Sequence, residues 1–452
     1  MKIPEKPPSI QNLIRTRMTD PGTMSRILDV GPVFRGRYEP WERIKYMPLP
    51  EGVELDDVWL GMKLARAHLL KPIPLIDKSR EAFRFATPDH ILKLLHTIDQ
   101  SASGHIEIAE EVTNPATRDR YVISSLIEES ITSSQLEGAS TTVDVAKKMI
   151  RSGRKPTDRS EQMIFNNYHA MQQVRERRNE SLTPELVFDL HRVLTQEAID
   201  DPRKVGTFRT DADDIIVERR GTIVHVPPPA GELPERLARM CAFANDRPAD
   251  VFIHPVVRAI AIHFWLAYDH PFVDGNGRTA RALFYWSMLS QGYWLAEYLS
   301  ISRILKQAPA QYARSFLLTE TDDNDLTYFL EYHLQVICRS IDELQQFLRR
   351  KITEVRAVEA ILRDKEELNH RQLAILSHAL KHPGQRYTIE SHRRSHNVVY
   401  QTARMDLLDL VEHGLMEQLK RGKTYVFSVP ADIAERLQLG RRTGRVASPP
   451  PG

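Results

Sequence analysis

The most informative stretch of the sequence covers residues 270–281 and reads His270-Pro271-Phe272-Val273-Asp274-Gly275-Asn276-Gly277-Arg278-Thr279-Ala280-Arg281. A helix is expected to end at His270, because the residue before a proline is pushed out of the α region. Gly275 and Gly277 let the loop turn tightly, so that backbone N–H groups converge where the next helix begins. Converging amides at a helix N-terminus predict a nest for an anion such as phosphate.

Four side chains of the same stretch fit phosphate chemistry. Arg278 and Arg281 are three residues apart and are therefore neighbours on a helix, where they can fork around phosphate oxygens. Asp274 lies beside the nest and can hold Mg²⁺, which prefers one or two carboxylates together with substrate phosphates. His270 lies on the rim and can accept a proton near neutral pH. The stretch therefore predicts a site for a nucleotide phosphate and Mg²⁺, with a base for an incoming hydroxyl.

These residues resemble, without departure, the signature of the Fic family, His-Pro-Phe-x-(Asp/Glu)-Gly-Asn-Gly-Arg-x-x-Arg. The resemblance implies transfer of AMP from ATP to a Ser, Thr or Tyr hydroxyl of a target protein, with release of pyrophosphate. It implies that His270 deprotonates that hydroxyl and that Asp274 binds Mg²⁺. By the same resemblance Arg278 contacts the β-phosphate and Arg281 the γ-phosphate. The implied nucleotide-binding residues are Gly275, Asn276, Gly277, Arg278, Thr279, Ala280 and Arg281.

A second match lies upstream, at Ser133-Ser134-Gln135-Leu136-Glu137-Gly138. It resembles the inhibitory motif of Fic proteins, Ser/Thr-x-x-x-Glu-Gly/Asn, and it marks the subclass whose inhibitor is N-terminal in the same chain. The resemblance implies that Glu137 pairs with Arg281 and blocks the γ-phosphate position. Ser133 and Glu137 are four residues apart and share a helix face, with Gly138 just past the helix end. The alternative is a solvated glutamate at a helix C-terminus.

Two further features are interpreted through the resemblance. Residues 214–218 and 222–226 are β-branched runs around a short Gly-containing turn, which predicts a hairpin. Residues 213–226 are called the flap here, because their position resembles the family element that registers the target segment by strand addition. A plain structural hairpin remains the alternative. Tyr312 falls, by its spacing from the signature, near the place where the family contacts the adenosine end of the nucleotide.

Apolar periodicity predicts a mainly α protein, with a Fic-type helical core, an inserted β-hairpin flap and a C-terminal winged helix-turn-helix. Thr183 and Pro184 predict the start of one core helix as its N-cap and first turn. The predicted segments are an irregular N-terminal arm (1–80), an N-terminal helical region with the inhibitory motif 133–138 (81–180), the Fic core (181–330), a connecting helix (331–360), the winged helix (361–436) and a disordered tail (437–452).

The charge pattern limits the partners. The whole chain carries 62 Lys+Arg against 60 Asp+Glu, which excludes a general polyanion binder. Residues 370–430 carry nine Lys+Arg against five acids, a local balance of +4. Winged helices bind DNA or proteins, and Asp406, Asp409 and Glu412 are on the same helix as Arg404, so the sequence leaves both partners open.

Other patterns narrow the protein class. No apolar run reaches the roughly 18 residues of a membrane span, and residues 1–17 lack the apolar core of a signal peptide. Cys241 and Cys338 offer no disulfide framework or zinc spacing. A cytoplasmic protein is the default expectation. We also expect His263 to be a buried, satisfied histidine and His254 to start a helix.

Three alternatives to a self-inhibited AMP transferase stay open at this point. One is a DNA-binding regulator with a vestigial Fic core, although the intact His270, Asp274, Asn276, Arg278 and Arg281 argue against it. Another is a Fic enzyme that transfers UMP or a phosphocholine, because a phosphate nest does not select the base. A third is an enzyme that removes AMP, with Glu137 activating a water. The resemblance is also compatible with a homodimer.

Overall fold

The computed structural model describes residues 3–19, 21–102, 115–219, 221–245, 252–362, 368–381, 385–396, 398–421, 424–430 and 433. The chain divides into two compact units, residues 1–344 and residues 345–452. The predicted tail, 437–452, lies outside the described residues. Among the described residues no helix is long and apolar enough to cross a membrane.

Helices dominate both units, in agreement with the predicted fold class. In chain order they are α1 (Ile10–Arg17), α2 (Pro21–Leu28), α3 (Trp41–Ile44), α4 (Leu55–Ala67), α5 (Asp89–Ala102), α6 (Pro115–Leu136), α7 (Val143–Ser152), α8 (Arg159–Glu176), α9 (Pro184–Thr195), α10 (Leu233–Asn245), α11 (Pro255–Asp269), α12 (Asn276–Ser290), α13 (Ile301–Gln307), α14 (Pro309–Thr321), α15 (Thr327–Leu362), α16 (His370–Lys381), α17 (Ile389–His396) and α18 (Tyr400–Glu412).

The strands form small antiparallel sheets, whose order within the described residues is β1-β2, β3-β4 and β5-β7-β6. They are β1 (Lys71–Ile76), β2 (Ala82–Phe85), β3 (Val217–Arg219), β4 (Thr222–His225), β5 (Arg386–Tyr387), β6 (Glu417–Arg421) and β7 (Thr424–Ser428).

The N-terminal region differs from the prediction. Residues 1–80 were expected to form an irregular arm, and instead they contain α1 to α4 and strand β1. Two of the prolines that suggested irregularity lie at helix boundaries: Pro21 begins α2, and Pro40 is the N-cap of α3. Helices α1 to α3 have at most eight residues and show too few turns for a sustained apolar period. They nevertheless share one buried cluster, which comprises Leu13, Ile27, Trp41, Ile44, Val58, Trp59, Leu60 and Met62.

A buried arginine joins this region to α15. Arg66 is fully buried, and its guanidinium carbon lies 3.7 Å from the ring centre of Tyr38. Its three nitrogens donate to the carbonyl oxygens of Pro32 and Glu39 and to the hydroxyl of Tyr328, each at 2.9 Å. Each nitrogen of the cation therefore has an acceptor within the protein, which offsets part of the cost of burying a charge.

Helices α11 and α12 form the centre of the first unit. Nearly every residue of α11 is buried, which explains why its sequence is apolar on all sides rather than on one stripe. Around them pack α6, α8, α9 and α10. Helix α9 begins as predicted, with the Thr183 hydroxyl accepting the backbone N–H of Leu186 and Pro184 in the first turn. The site residues of α12 are therefore held between rigid elements.

The predicted hairpin is present but shorter than expected. Strands β3 and β4 pair antiparallel with a register shift between Val217 and Glu218. Residues 211–213 form a short 3₁₀ helix, and Asp214 takes a left-handed conformation with φ of 45°. The β-branched run 214–216 thus enters the hairpin without joining its ladder.

The second unit contains, in chain order, a helix, a short strand, two helices and a hairpin. The sequence predicted a helix at 370–380, an extended stretch at 387–389, one helix at 398–411 and a hairpin. Strand β5 instead covers Arg386 and Tyr387, and Ile389 begins α17, a helix that was not predicted. The described core of this unit comprises Leu368, Ile375, Leu376, Ile389, Ala403, Leu407, Leu410, Leu415, Met416, Phe427 and Ile433. The winged-helix interpretation stays a prediction.

We expect Arg66→Met to destabilise the protein by about 3 kcal/mol, because the carbonyls and the phenol that receive its N–H groups would be buried without donors. Arg15→Met is the control, since Arg15 is exposed on α1. Urea unfolding of both variants measures the difference. Equal midpoints for the two variants would show that the buried arginine is not a stabilising contact.

Candidate active site

His270 stands directly after α11 in a strained backbone conformation. Its φ is 45°, in the left-handed region that a non-glycine residue rarely adopts. The ring atom Nδ1 lies 3.3 Å from the carbonyl oxygen of Ala267. Because a carbonyl only accepts, Nδ1 carries the proton and Nε2 keeps its lone pair. Burial lowers the pKa of His270 to about 4, so the ring is neutral and able to accept a proton at neutral pH.

The loop after His270 is fixed by Asn276. The Asn276 side chain accepts the backbone N–H of Phe272 at 3.0 Å and donates to the Phe272 carbonyl at 2.7 Å. Thr279 donates its hydroxyl to the Gly275 carbonyl at 2.9 Å, and Ala280 is fully buried. The side chains of Asn276, Thr279 and Ala280, all predicted to bind nucleotide, are therefore engaged inside the protein rather than available to a ligand.

The start of α12 supplies the predicted nest. Gly275 is the N-cap with φ of 82°, and the first backbone N–H to bond back to its carbonyl is that of Thr279. The amides of residues 276–278 consequently have no acceptor within the helix. Together with the positive end of the helix dipole they favour an anion.

The carboxylate of Glu137 lies over this first turn. Its Oε1 atom is 2.9 Å from Nη2 of Arg281. A Cβ atom placed on Gly277 would be only 2.2 Å from the same oxygen. The absence of a side chain at position 277 thus leaves room for the Glu137 carboxylate against the backbone, and a larger residue would displace it. The predicted pairing of Glu137 with Arg281 is present, and an anion of the chain itself occupies the start of α12.

Ser133, which lies on α6 four residues before Glu137, also binds Arg281. Nε of Arg281 donates to Oγ of Ser133 at 2.8 Å, and Nη2 donates to the Ser133 carbonyl at 2.9 Å. Both Arg281 and Ser133 are buried, whereas the Glu137 side chain is 30% exposed. Gly138 follows the helix with φ of 98° and open space around it. Two of the three predicted motif residues, Ser133 and Glu137, therefore contact the last arginine of the signature, and Gly138 ends the segment that carries them.

Arg278 and Asp274 lie on the other side of the nest. Nη1 of Arg278 donates to the Leu194 carbonyl at 2.9 Å, and Nη2 is 3.5 Å from Oδ1 of Asp274. Nε of Arg278 is buried and has no hydrogen-bond partner among the described residues. The Asp274 side chain is 40% exposed, and its other oxygen lies 3.6 Å from Nη2 of Arg159. One carboxylate beside an anion nest suits a cation that substrate phosphates also hold.

No cluster of three or more His, Cys, Asp or Glu side chains suited to a metal is found in the described part of the chain. A cation site built by protein ligands alone is therefore not seen there, and Asp274 would need the phosphates as co-ligands.

Two residues that support the loop were not singled out from the sequence. The ring of His191 stacks on Phe272 with centres 3.7 Å apart, and Nε2 lies 2.9 Å from the Asp274 carbonyl. Burial lowers the pKa of His191 to about 4. Arg209 donates from Nε to the His270 carbonyl at 2.8 Å and from its backbone N–H to the Pro271 carbonyl at 2.9 Å. Neither belongs to a motif, so no sequence signal separates them from other helix or loop residues.

Tyr312 and His263 form a hydrogen bond to each other close to Arg281. The Tyr312 hydroxyl is 2.9 Å from Nε2 of His263, and burial raises the pKa of Tyr312 to about 12. His263 is buried as predicted, but its Nδ1 has no partner among the described residues, so the expectation of a fully satisfied histidine was wrong. His254 starts α11 as predicted, with its ring accepting the Val256 N–H.

Comparison with known proteins agrees with this geometry. A model of the Fic/DOC family matches residues 181–288. The chain carries a Fic domain. That domain contains the nest, His270 and both arginines, whereas Glu137 lies outside the matched residues.

The curated relatives that the chain matches include two that are named protein adenylyltransferase Fic. The one from Aedes aegypti is 34% identical over 116 residues, which are 26% of this chain and 21% of the relative. The one from Drosophila melanogaster is 35% identical over 107 residues, 24% of this chain and 20% of the relative. The match thus spans about a fifth of the length of these relatives.

A solved structure shows the same fold. A Fic family protein from Desulfovibrio desulfuricans G20 superposes with a TM-score of 0.51, at 18% sequence identity. The match covers 76% of this chain and 97% of that structure. The similarity therefore extends beyond the Fic domain into the surrounding helices.

We expect Gly275→Ala to destabilise the Fic domain more than Gly292→Ala. Both glycines have positive φ, 82° and 86°, so each alanine incurs a backbone cost of about 1 kcal/mol. Only at Gly275 would the new Cβ lie 2.7 Å from a neighbour, Cγ2 of Thr195, whereas Gly292 has open space. The collision adds about 1–3 kcal/mol. Equal thermal shifts for the two variants would contradict the close approach at Gly275.

Proposed function

We propose that this protein is an adenylyltransferase that transfers AMP from ATP to a hydroxyl side chain of a target protein and that inhibits itself through Glu137. The observation that carries the proposal is the carboxylate of Glu137 against the first turn of α12 and Arg281. A turn that accepts a carboxylate has the electrostatic character needed for a phosphate.

The residues of the loop have distinct roles in the proposed reaction. His270 presents a neutral ring with the lone pair on Nε2, so it accepts the proton of the target hydroxyl. The hydroxyl oxygen then bonds to the α-phosphorus as the bond to the leaving pyrophosphate breaks. The amides of residues 276–278, Arg278 and Arg281 orient the phosphates and balance their charge. Mg²⁺, when bound between Asp274 and the phosphates, would neutralise further negative charge.

Inhibition follows from competition for one position. A γ-phosphate and the Glu137 carboxylate cannot both bind Arg281, because like charges at that distance repel and share the same donor. Ser133 and Ser134 are buried, and Ser134 donates to the Met163 carbonyl at 3.1 Å, so α6 is anchored. The partly exposed Glu137 side chain can turn away without moving the helix. Release of inhibition therefore needs a side-chain rotation only.

We expect Glu137→Gly to raise labelling of protein by ATP labelled on its α-phosphate at least tenfold, which corresponds to about 1.4 kcal/mol of relieved competition. Glu128→Gly is the control, because Glu128 is on the same helix and pairs with Arg303 instead. His270→Ala in the Glu137→Gly protein should abolish the label. Equal labelling by the wild-type and Glu137→Gly proteins would contradict the inhibitory role.

The same assay separates the alternative enzymes. Parallel reactions with UTP or a phosphocholine donor in place of ATP would reveal another transferred group, and loss of label from a pre-labelled protein would reveal removal of AMP. Labelling by ATP alone, through His270, is the result that the proposal requires. The target protein and any homodimer are to be identified in a lysate with the Glu137→Gly form.

A second proposal concerns DNA. Two of the acids on α18 that opposed DNA binding are engaged within the unit: Asp406 pairs with Arg371 at 2.7 Å and is buried, and Asp409 accepts from Gln372. Arg404 is exposed on the same helix. We propose that α18 contacts DNA phosphates through Arg404. Arg393 and Arg394 lie on the neighbouring helix α17, where Glu390 partly neutralises their charge.

We expect a gel shift with duplex DNA whose affinity falls steeply as salt rises, because phosphate binding releases counterions. Arg404→Ala should weaken binding and lower the salt slope by about one unit. Arg394→Ala is the control for loss of a paired arginine. Absence of binding at low salt would remove DNA as a partner and favour a protein.

A further inference from the structure

Glu129, on α6, is a buried acidic side chain with a defined set of hydrogen-bond donors. Its Oε2 atom accepts from Oγ of Ser300 at 3.0 Å and from the backbone N–H of Ser302 at 3.0 Å. Its Oε1 atom accepts from Oγ of Ser302. All of these donors belong to residues 299–302, which are called the α13 start here.

The carboxyl group of Glu129 takes the place of a helix cap. Ser300 is the N-cap residue of α13, yet its side chain makes no capping hydrogen bond within its own helix. The first N–H groups of a helix have no partner inside that helix and need an acceptor from elsewhere. Glu129 supplies an acceptor to Ser302 from a different helix. Because polar groups that are buried without partners are costly, this contact binds the α13 start firmly to α6.

The α13 start is also bound to α12, the helix that carries Arg281. The hydroxyl of Tyr285 accepts the backbone N–H of Ile301 at 3.0 Å and donates to the carbonyl of Leu299 at 3.2 Å. Tyr285 is buried about one helical turn after Arg281. Helices α6 and α12 are thus linked directly through Arg281 and also through the α13 start, which lies between Glu129 and Tyr285.

Glu129 lies on the same face of α6 as the motif residues. Glu129, Ser133 and Glu137 follow each other at a spacing of four residues. At a rise of roughly 1.5 Å per residue, Glu129 is about 12 Å from Glu137 along the helix axis. A hydrogen-bonded side chain at that place fixes both the rotation of α6 and its position along the axis. The contact between Oε1 of Glu137 and Nη2 of Arg281, at 2.9 Å, tolerates little change in either.

Two other polar contacts between α6 and α13 are weaker than the one made by Glu129. Glu128 is 3.5 Å from Nε of Arg303, and both side chains are more than a third exposed, so solvent screens the pair. Oγ1 of Thr132 is 3.3 Å from Oγ of Ser300, a long contact between neutral hydroxyls. Glu129 therefore provides the buried anchor between the two helices.

We propose that Glu129 is the positioning residue of the inhibitory motif: by binding the α13 start, it holds α6 so that the Glu137 carboxylate lies against Arg281. This inference rests on the proposed function. A side chain that is already held beside its partner forms the contact at little further cost in conformational freedom. Loss of Glu129 therefore weakens the competition with a γ-phosphate although Glu137 itself is unchanged.

The affinities of two nucleotides measure the position of Glu137 without any transfer reaction. An ATP analogue whose α–β bond cannot be cleaved carries a γ-phosphate and competes with the Glu137 carboxylate, whereas ADP lacks that phosphate. We expect Glu129→Ala to change the ratio of the two dissociation constants about fivefold in favour of the analogue, measured by calorimetry with Mg²⁺. General damage to the fold would weaken both nucleotides and leave the ratio unchanged. Glu128→Ala, at the adjacent and more exposed position, is the matched control and should keep the native ratio.

Further variants test the same contact from its other side. The double variant Ser300→Ala, Ser302→Ala removes both hydroxyl donors and leaves α6 unaltered, so its ratio should change in the same direction, and it serves as the test if Glu129→Ala does not fold. Glu129→Gln should keep the native ratio, because the Ser302 hydroxyl can turn to accept from the new amide. A native ratio in Glu129→Ala and in the double serine variant would overturn the proposal.

The Glu137→Gly background separates this inference from the proposed function. Without the carboxylate, Glu129→Ala should no longer change the ratio, as expected for two residues that act through one contact. An equal change in both backgrounds would overturn the positioning role. If Glu137→Gly alone neither changes the ratio nor raises labelling of protein, the inhibition in the proposed function fails. If the ratio responds to both residues but no variant labels protein, the positioning of Glu137 stands and the transfer of AMP fails.

Discussion

The contact between Arg281 and the end of α6 is the interaction on which the site depends. Ser133 takes two of the hydrogen bonds of the guanidinium and Glu137 takes a third. A buried cation needs this many acceptors, because unpaired charge in a low-dielectric interior is costly. Ser133 and Glu137 lie almost 150 residues upstream of Arg281, so one ion pair joins residues 133–138 to the Fic domain. Glu137 is the most exposed of these partners, and under the proposed function it is the one that a competing anion replaces.

The loop that carries the signature residues is held in place mostly by residues outside the signature. Asn276 folds the loop back on Phe272, while His191 stacks on the same phenylalanine. Arg209 holds the carbonyls of the strained residue His270 and of Pro271. Backbone strain at a catalytic position persists only where surrounding contacts fix it. The flap adds a further support through His225, which joins it to α11.

The agreement between sequence and structure was closest where the local chemistry leaves few choices. Pro184 and Thr183 fixed the start of α9, and the pairing of Glu137 with Arg281 followed from two motifs. The N-terminal region was interpreted wrongly, because helices of at most eight residues show little periodicity and are stabilised by tertiary contacts such as the buried cluster of Leu13, Ile27 and Trp41. His191 could not be predicted, since nothing in a single histidine on a helix indicates which loop it will contact.

Sequence alone predicted the phosphate nest and the pair of arginines, because glycine, proline and charge at fixed spacing restrict the backbone and the ligand, and the resemblance to a Fic motif predicted the pairing of Glu137 with Arg281. Only the tertiary structure decided which of those side chains are available. It engages Asn276 and Thr279 in the loop, sets the tautomer of His270 through the Ala267 carbonyl, and places a second histidine, His225, between two acceptors. The physical reason is that a hydrogen bond depends on distance and direction between groups far apart in the chain, which no local pattern encodes.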